Sequence, residues 1–286
     1  MDWAHIARAA KDVQYERPGV GLRIPSVGVR GIKLPLDMRE GSIRVLGASV
    51  DALVDLPPNI RGANLSRSVA SVLMAMEGAR SLAGLAEEAA RLLLEYHEYS
   101  ELSRVVVRAT AFVEEASPAT GLRSPSRFVA IADSTRARSG AVSTRLGASV
   151  VGITACPCGA ELMRAAGCGP CATHMQRARV TLIARPASST SVEILRSSAL
   201  GGLSSGVLTL LKRADEAYLI SSALSNARFA EDAFRLAALH FARSVPSFPL
   251  DGELFIHVRS HESIHGHDVV VSGYLSGELL RSLRTS

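Results

Sequence analysis

The sequence predicts an α+β protein in which helices cover one face of antiparallel sheets. Three observations predict it. An order of β-rich segments, helices and β-rich segments occurs twice along the 286 residues. The segment RVVVRATAFVEE alternates as a half-buried antiparallel strand does. The helical segments carry apolar stripes of the 3.6-residue period between recognisable caps and breakers. Two successive β-β-α-α-β-β units suit helices packed on antiparallel sheets. No low-complexity stretch or long linker divides them, so residues 1-136 and 137-286 read as two modules of one continuous domain.

The elements follow in order. VGLRIPSVGVRGIKLPL and SIRVLGASVDALVDL are β-rich, the second ending at the turn signal Pro57-Pro58-Asn59. Leu65, Val69, Val72 and Met76 mark the stripe of one helix, and Leu82, Leu85, Ala89 and Leu92 that of the next. Gly78 breaks the pair and Ser81 is placed to cap the second. In RVVVRATAFVEE, Val105, Val107, Ala109, Ala111 and Val113 fall on one face, and RFVAIAD is the expected partner strand. The second half gives strands at about 140–155 and 174–185, helices around 190–200 and 226–245, and strands at about 252–260 and 267–275. In the last helix Phe229, Ala233, Leu236 and His240 share a face, Asn226 is a candidate cap, and Pro246 ends it.

With 47% hydrophobic and 21% charged residues the chain is globular and long enough for a sizeable core. The N-terminus has no apolar signal region, and no run reaches the ~18 apolar residues of a membrane span, so a cytoplasmic protein is expected. In that compartment Cys156, Cys158, Cys168 and Cys171 read as metal ligands or reactive thiols rather than disulfides. The net charge of +5 suits a polyanionic partner, either nucleic acid or a phosphorylated small molecule. Scattered basic residues and only 5% aromatics argue against a stacking platform for single strands.

Four clusters could carry chemistry. Cys156-Pro157-Cys158 with His174 offers soft donors and an imidazole to Zn(II) or Fe(II). The competing reading is a closed zinc knot of Cys156, Cys158, Cys168 and Cys171, and spacing alone leaves both open. HESIHGHD packs His261, His265 and His267 beside Glu262 and Asp268. On a strand the three histidines would share a face and Glu262 would oppose them unless a turn re-aims it; the alternative is a solvated polar turn. Glu193 opens a helix, where an acidic residue is favoured by the macrodipole without any further role. LLKRADEAY, with Lys212, Arg213, Asp215 and Glu216, and LPPNIRGANLSR, with Arg61, Ser66 and Arg67, are solvated charge or a phosphate and nucleobase surface.

Together these residues resemble a family, and the match spans almost the whole chain. DVQ, VGVRGIKLPL, VDLP, RG, SR, CPC, H-x-QR, the helical glutamate, LLKR-x-DE, F-x-EDA-x-R and ESIH-x-H stand in the order found in type IB GTP cyclohydrolases, including the archaeal methanopterin-pathway enzymes. The resemblance implies a tunnelling fold of two modules per subunit, a homotetramer, and GTP opened at one divalent metal per subunit, Fe(II) ahead of Zn(II) or Mn(II). It implies Cys158, His174, Glu193 and His265 as metal ligands, Glu262 beside the metal, and Glu216 anchoring guanine. Two departures stand out: Asn64 replaces the histidine of RGTHMSR, and extra residues including Cys168 and Cys171 lie between Cys158 and His174.

The chemistry then expected is hydrolytic. A metal-activated water attacks C8 of guanine, formate leaves, and the opened purine recloses to a 7,8-dihydroneopterin phosphate, with the archaeal character of the match favouring the 2',3'-cyclic phosphate. Glu262, His267 and Cys156 are the candidate proton carriers, and Arg61, Arg67, Arg177, Lys212 and Arg213 the candidate phosphate cations. Neither nucleic acid nor a membrane is required as partner. The competing functions are another enzyme of the same fold acting on a pterin or purine, and a zinc-knot nucleic-acid-binding protein, which leaves ESIHGHD unexplained.

Overall fold

The computed structural model describes residues 1–168 and 172–284. Its elements are α1 (Trp3–Ala9), β1 (Ile24–Leu34), β2 (Met38–Glu40), β3 (Ile43–Leu56), α2 (Leu65–Gly78), α3 (Leu82–Tyr96), β4 (Leu102–Ala116), β5 (Arg123–Ala137), β6 (Val142–Ala155), α4 (Pro157–Ala165), β7 (Met175–Arg185), α5 (Val192–Gly202), β8 (Ser205–Gly206), α6 (Arg213–Ser225), α7 (Ala230–Ser244), β9 (Glu253–Ser260), β10 (Val269–Ser276) and α8 (Gly277–Leu283). The protein is α+β, with antiparallel strand pairs and eight helices among the described residues. None of those helices is long and apolar enough to cross a membrane.

The chain folds as two compact units. The first comprises Met1–Leu34, Ser49–Val107 and Asp133–Ser143; the second comprises Pro35–Ala48, Arg108–Ala132 and Thr144–Ser286.

In the first unit α2 packs on α3 and touches β1. Its core is built from alternate residues of β3 (Val50, Ala52, Val54, Leu56), from β4 (Val105, Val107) and from the face of α3 that carries Leu82, Leu85, Ala89 and Leu93. Ser81 caps α3 by accepting from Gly84 N, as its position in the sequence predicts. The stripe of α2 differs from expectation. Ser68, Ser71, Val72 and Ala75 are buried while Leu65 stays exposed, because small residues let α2 lie close to its neighbours. Asn64, the departure from the family's histidine, caps α2 through Oδ1 and the backbone N–H of Arg67. Buried Asp55 accepts from Glu101 N and Leu102 N, both at 2.7 Å, and from Arg23 Nη2. Buried His97 lies within hydrogen-bond distance of the carbonyls of Leu93 and Asn64, and that burial holds its pKa below the ordinary histidine value.

In the second unit β7 is the axis. It pairs antiparallel with β6 on one side and β9 on the other, setting Val180 against both Val150 and Val258, and β9 pairs onward with β10. Ala178, Val180, Leu182 and Ala184 of β7 are buried, as are Leu254, Ile256 and Val258 of β9. Helices α5 and α7 cover this face. They approach closely because α5 ends in glycine and α7 is alanine-rich. A Cβ on Gly202 would stand 2.4 Å from the carbonyl oxygen of Ala233. The buried face of α7 is Ala230, Ala233, Ala237, Ala238 and Phe241, so the stripe expected from Phe229, Leu236 and His240 is rotated toward the alanines, which pack nearer the sheet. Asn226 ends α6 rather than capping α7; Asp232 instead accepts from Phe229 N. Helices α4 and α6 were not expected from the sequence. Helix α4 is nine residues long and buries none of them, and α6 buries only Asp215 and Ala223 and shows no apolar stripe.

Candidate functional site

The second unit draws the cysteine and histidine motifs into one cleft of about 320 Å3. Cys156, Cys158, His174, Glu262, His265 and His267 line it, with Gln176 and Arg228. Three local structures place them.

The first is the turn from β6 into α4. Cys156 is the N-cap of α4 and its Sγ accepts from Gly159 N at 3.4 Å; Pro157 takes the first helical position, where a missing N–H costs nothing. The thiol of Cys158 follows in the first turn and is exposed. The second is the start of β7, pinned to that turn by Cys156 N donating to the His174 carbonyl at 3.1 Å and Thr173 Oγ1 donating to the Cys156 carbonyl at 2.7 Å. Gly159 permits the approach, since a Cβ there would meet Thr173 Oγ1 at 2.4 Å. The third is the connection between β9 and β10. Residues 261–268 form no strand, so of the readings open for HESIHGHD it is the turn between the last two strands that holds, and the strand alternation does not apply. The turn brings Glu262, His265 and His267 to the cleft, the two imidazoles stacked at 5.3 Å, and sends His261 the other way, its Nδ1 3.2 Å from Asp268. The Arg259 guanidinium, 2.6 Å from Asp268, holds that carboxyl below the usual carboxylate range.

Gln176 orders the cleft. Its Nε2 faces Thr154 Oγ1, Ser260 Oγ and Glu262 Oε1 at 3.2 to 3.4 Å, all oxygens able to accept, so its Oε1 is the atom presented to His174 Nδ1 at 2.9 Å. A carbonyl there requires the proton on Nδ1, which leaves Nε2 with its lone pair. Ser260 donates to the same Glu262 oxygen at 2.8 Å, fixing the carboxylate. Sequence reasoning singled out neither Gln176, Ser260 nor Arg228. Gln176 lies within H-x-QR, the one available signal; the guanidinium of Arg228 is spent on the carbonyls of Gly201 and Leu203 at 2.7 Å, and burial lowers its pKa.

The donor set suits a thiophilic divalent metal in kind: thiols, imidazoles and a carboxylate around one cleft, one imidazole already fixed in its tautomer by a neighbouring amide, as metal-bound histidines are. The donors are not drawn into a closed shell. Among the described residues no group of three or more His, Cys, Asp or Glu is close enough to hold a metal ion. Cys168 is exposed, and Cys171 lies outside the described residues.

Other candidates sit elsewhere. Glu193, in the first turn of α5, is not among the cleft residues; its Oε1 lies against Gly41, 2.4 Å from where a Cβ there would be. Glu216, Lys212 and Arg213 are exposed at the start of α6 and do not line the cleft either. Their helix is pinned by Asp215, which accepts from the N–H groups of Ala119, Thr120 and Lys212 and from the Thr120 hydroxyl. Burial alone would raise the Asp215 pKa, but those four donors hold it far below the ordinary value. Arg177 is exposed and lines a different cleft. In the first unit Arg61 pairs with Glu16 at 2.9 Å, and Arg67 donates to the Tyr96 carbonyl at 3.0 Å with Tyr15 beneath it.

The family described as type I GTP cyclohydrolase folE2 matches residues 10–271. The chain is 31% identical to GTP cyclohydrolase MptA 1 of Methanocella arvoryzae over 95% of its length and 96% of that protein's. It is likewise 31% identical to GTP cyclohydrolase MptA of Korarchaeum cryptofilum, over 96% of each chain. Among solved structures, the uricase of Arthrobacter globiformis superposes with a TM-score of 0.51 at 8% identity, covering 88% of this chain and 93% of that one. A uricase from Bacillus fastidious gives a TM-score of 0.52 at 10% identity over 92% and 97%. That likeness is of fold alone, and the fold is of the tunnelling type.

Proposed function

This chain belongs to the type I GTP cyclohydrolase family, whose members are enzymes, and on that premise we propose that it hydrolyses GTP to a 7,8-dihydroneopterin phosphate for pterin biosynthesis. The observation that supports the reading most is the cleft in which His174, its Nδ1 held by Gln176, faces the same space as Cys156, Cys158, Glu262, His265 and His267.

Cys158, His174 and His265 are the residues that would hold a divalent metal, Fe(II) ahead of Zn(II) or Mn(II), leaving a position open for water or substrate. The metal would supply a water acidic enough to deliver hydroxide to C8 of the purine near neutral pH. Glu193 of the same copy lies outside the cleft, so it joins the ligand set only from a second copy.

The remaining roles fall to this chain's own groups. Glu262, fixed by Ser260 and Gln176 through Oε1, keeps Oε2 for proton transfer, and His267 stacked on His265 is a second carrier. Cys156, with its Sγ engaged by Gly159 N, shapes the turn and is the weaker candidate. Glu216 is rigidly presented at the start of α6 and would accept from the guanine N1–H and amino group. Because Glu216 does not line the cleft of its own copy, one GTP would touch both only where copies meet. That requirement supports a homo-oligomer with sites where copies meet, and the tetramer is the form that the family resemblance implies.

The test is to load the purified protein anaerobically with Fe(II), add GTP, and assay formate and, after oxidation, a fluorescent pterin. Mass spectrometry of the product separates the 2',3'-cyclic phosphate from the triphosphate. Absence of formate with every divalent metal would refute the reading.

A further inference from the structure

A second cleft, of about 410 Å3, is lined by Arg127 of β5 and by Arg177 and Arg179 of β7, and no acidic residue lines it. The pleat of β7 explains the set. Gln176, Ala178 and Val180 face the helices, so Arg177, Arg179 and Thr181 face the opposite side, opposed across the ladder by Ile153, Val151 and Ser149. The cationic cleft is therefore on the sheet face away from the core, and the Arg177 guanidinium cannot serve a ligand in the cysteine-histidine cleft of its own copy.

The neighbouring arginines are neutralised and these are not. On β7 Arg185 meets Glu253 at 3.1 Å, and on β9 Arg259 meets Asp268 at 2.6 Å. Beside the cleft Arg196 meets Glu115 at 2.5 Å. Among the described residues Arg127, Arg177 and Arg179 meet no carboxylate; the sole side-chain contact of the three is Arg179 Nη1 to Ser149 Oγ, at 3.5 Å. Three unpaired guanidiniums on one concave surface raise its potential and present planar forks matched to phosphate oxygens. The cleft also continues into an apolar one of about 280 Å3 that shares Arg127, Phe128, Val207 and Leu208 and adds Tyr218. Cationic groups beside an apolar, aromatic recess are what a nucleotide requires, phosphates on the first and base or ribose in the second.

We propose that Arg127, Arg177 and Arg179 form a binding site for the phosphate chain of a nucleoside triphosphate, on the sheet face opposite the cysteine-histidine cleft. The site stands on geometry and charge; only its assignment to substrate rests on the GTP cyclohydrolase reading. Its ligand is either GTP on its way to turnover between copies or a separate nucleotide, and the two sources give different results.

The experiment uses the whole protein and the double variant Arg127→Gln/Arg179→Gln, which spares Arg177. Binding of inorganic tripolyphosphate and of GTP is measured by titration calorimetry at low salt, with a melting curve for each protein to show that the variant folds. Wild type should bind tripolyphosphate, and the variant should bind it roughly tenfold to a hundredfold more weakly, as the loss of charge-assisted contacts predicts. A KM for GTP raised by a similar factor at unchanged kcat assigns the site to substrate; an unchanged KM with the same loss of tripolyphosphate binding assigns it to a separate nucleotide. Equal tripolyphosphate affinity in the two proteins, or none in wild type, overturns the proposal. If wild type fails to turn GTP over, the cyclohydrolase reading falls while the tripolyphosphate comparison still decides the site.

Discussion

Replacing Gln176 with leucine tests the core of the site, because it keeps the side-chain volume and removes only the amide. The structure sets two magnitudes. For stability, the loss is the 2.9 Å bond to His174 and a weaker set to Thr154, Ser260 and Glu262 at 3.2 to 3.4 Å. The oxygens left behind keep partners: Thr154 Oγ1 and Ser260 Oγ stay 3.2 Å apart, and Ser260 still donates to Glu262 at 2.8 Å. With no polar atom stranded, the cost is that of one or two neutral bonds, about 1 to 2 kcal/mol, or a few degrees in Tm. For metal binding the effect is larger, since the only partner left to His174 Nδ1 among the described residues is Ser263 Oγ at 3.2 Å, a hydroxyl that can donate as well as accept and so no longer holds the proton on Nδ1. Losing such an orienting partner typically lowers affinity by ~10- to 100-fold. Competition between the protein and a chromophoric chelator for Zn(II) measures this without turnover. Thr154→Val is the control, because it removes a partner of the amide nitrogen and leaves the bond to His174 in place. If Gln176→Leu binds Zn(II) within about twofold of wild type, or Thr154→Val weakens binding equally, the tautomer argument is wrong.

Three further outcomes are expected. Glu216→Gln should weaken GTP binding by about 1 to 3 kcal/mol, read by calorimetry, with Tm unchanged because the side chain is exposed; an unchanged affinity would make Glu216 a surface charge. Gly202→Ala forces a methyl into the 2.4 Å approach to the Ala233 carbonyl and should cost about 1 to 3 kcal/mol, seen as a lower urea midpoint with metal affinity retained. His97 is buried with a lowered pKa, so the unfolded chain takes up its proton first: its contribution is complete above about pH 6.5 and is lost as pH falls below that value. Urea midpoints should drop from pH 7 to 5 in wild type and less steeply in His97→Gln; equal slopes would remove His97 as the cause.

What could be read in the sequence and what could not divides along physical lines. Strands with one buried face declared themselves, as in β4, where Val105, Val107, Ala109 and Ala111 are all buried. So did α3, whose leucines repeat at the helical period behind a serine cap. Helix α6 buries little and carries no stripe, and α4 is only nine residues long and buries nothing, which is why both stayed hidden within KRADEAYLISSALS and CPCGAELMRA. The rotated face of α7 has a different cause. Alanines count for little in an apolar stripe, yet their small size lets the glycines of α5 come within contact, so closeness of approach rather than hydrophobicity chose the buried side.

The same division runs through the site. Residue type nominated Cys156, Cys158, His174, Glu262, His265 and His267, and the structure places all six around one cleft. Gln176 could not be nominated in this way, since a glutamine has no titration and no metal affinity of its own; its role exists only because two strands bring Thr154 and Ser260 to its amine. Glu193 and Glu216 show the opposite limit. Both are charged, both open helices, and neither reaches that cleft in its own copy. A helix N-terminus explains the placement of each through the macrodipole alone. What distinguishes them is support: Asp215 spends a buried carboxylate to lock the start of α6, so Glu216 is held out by a rigid base, whereas the Glu193 carboxylate rests against the turn at Gly41. A carboxylate carried on a helix start pinned in this way, and meeting no partner among the described residues, fits a group that waits for a ligand, and this makes Glu216, rather than Glu193, the stronger candidate to complete a site with another copy.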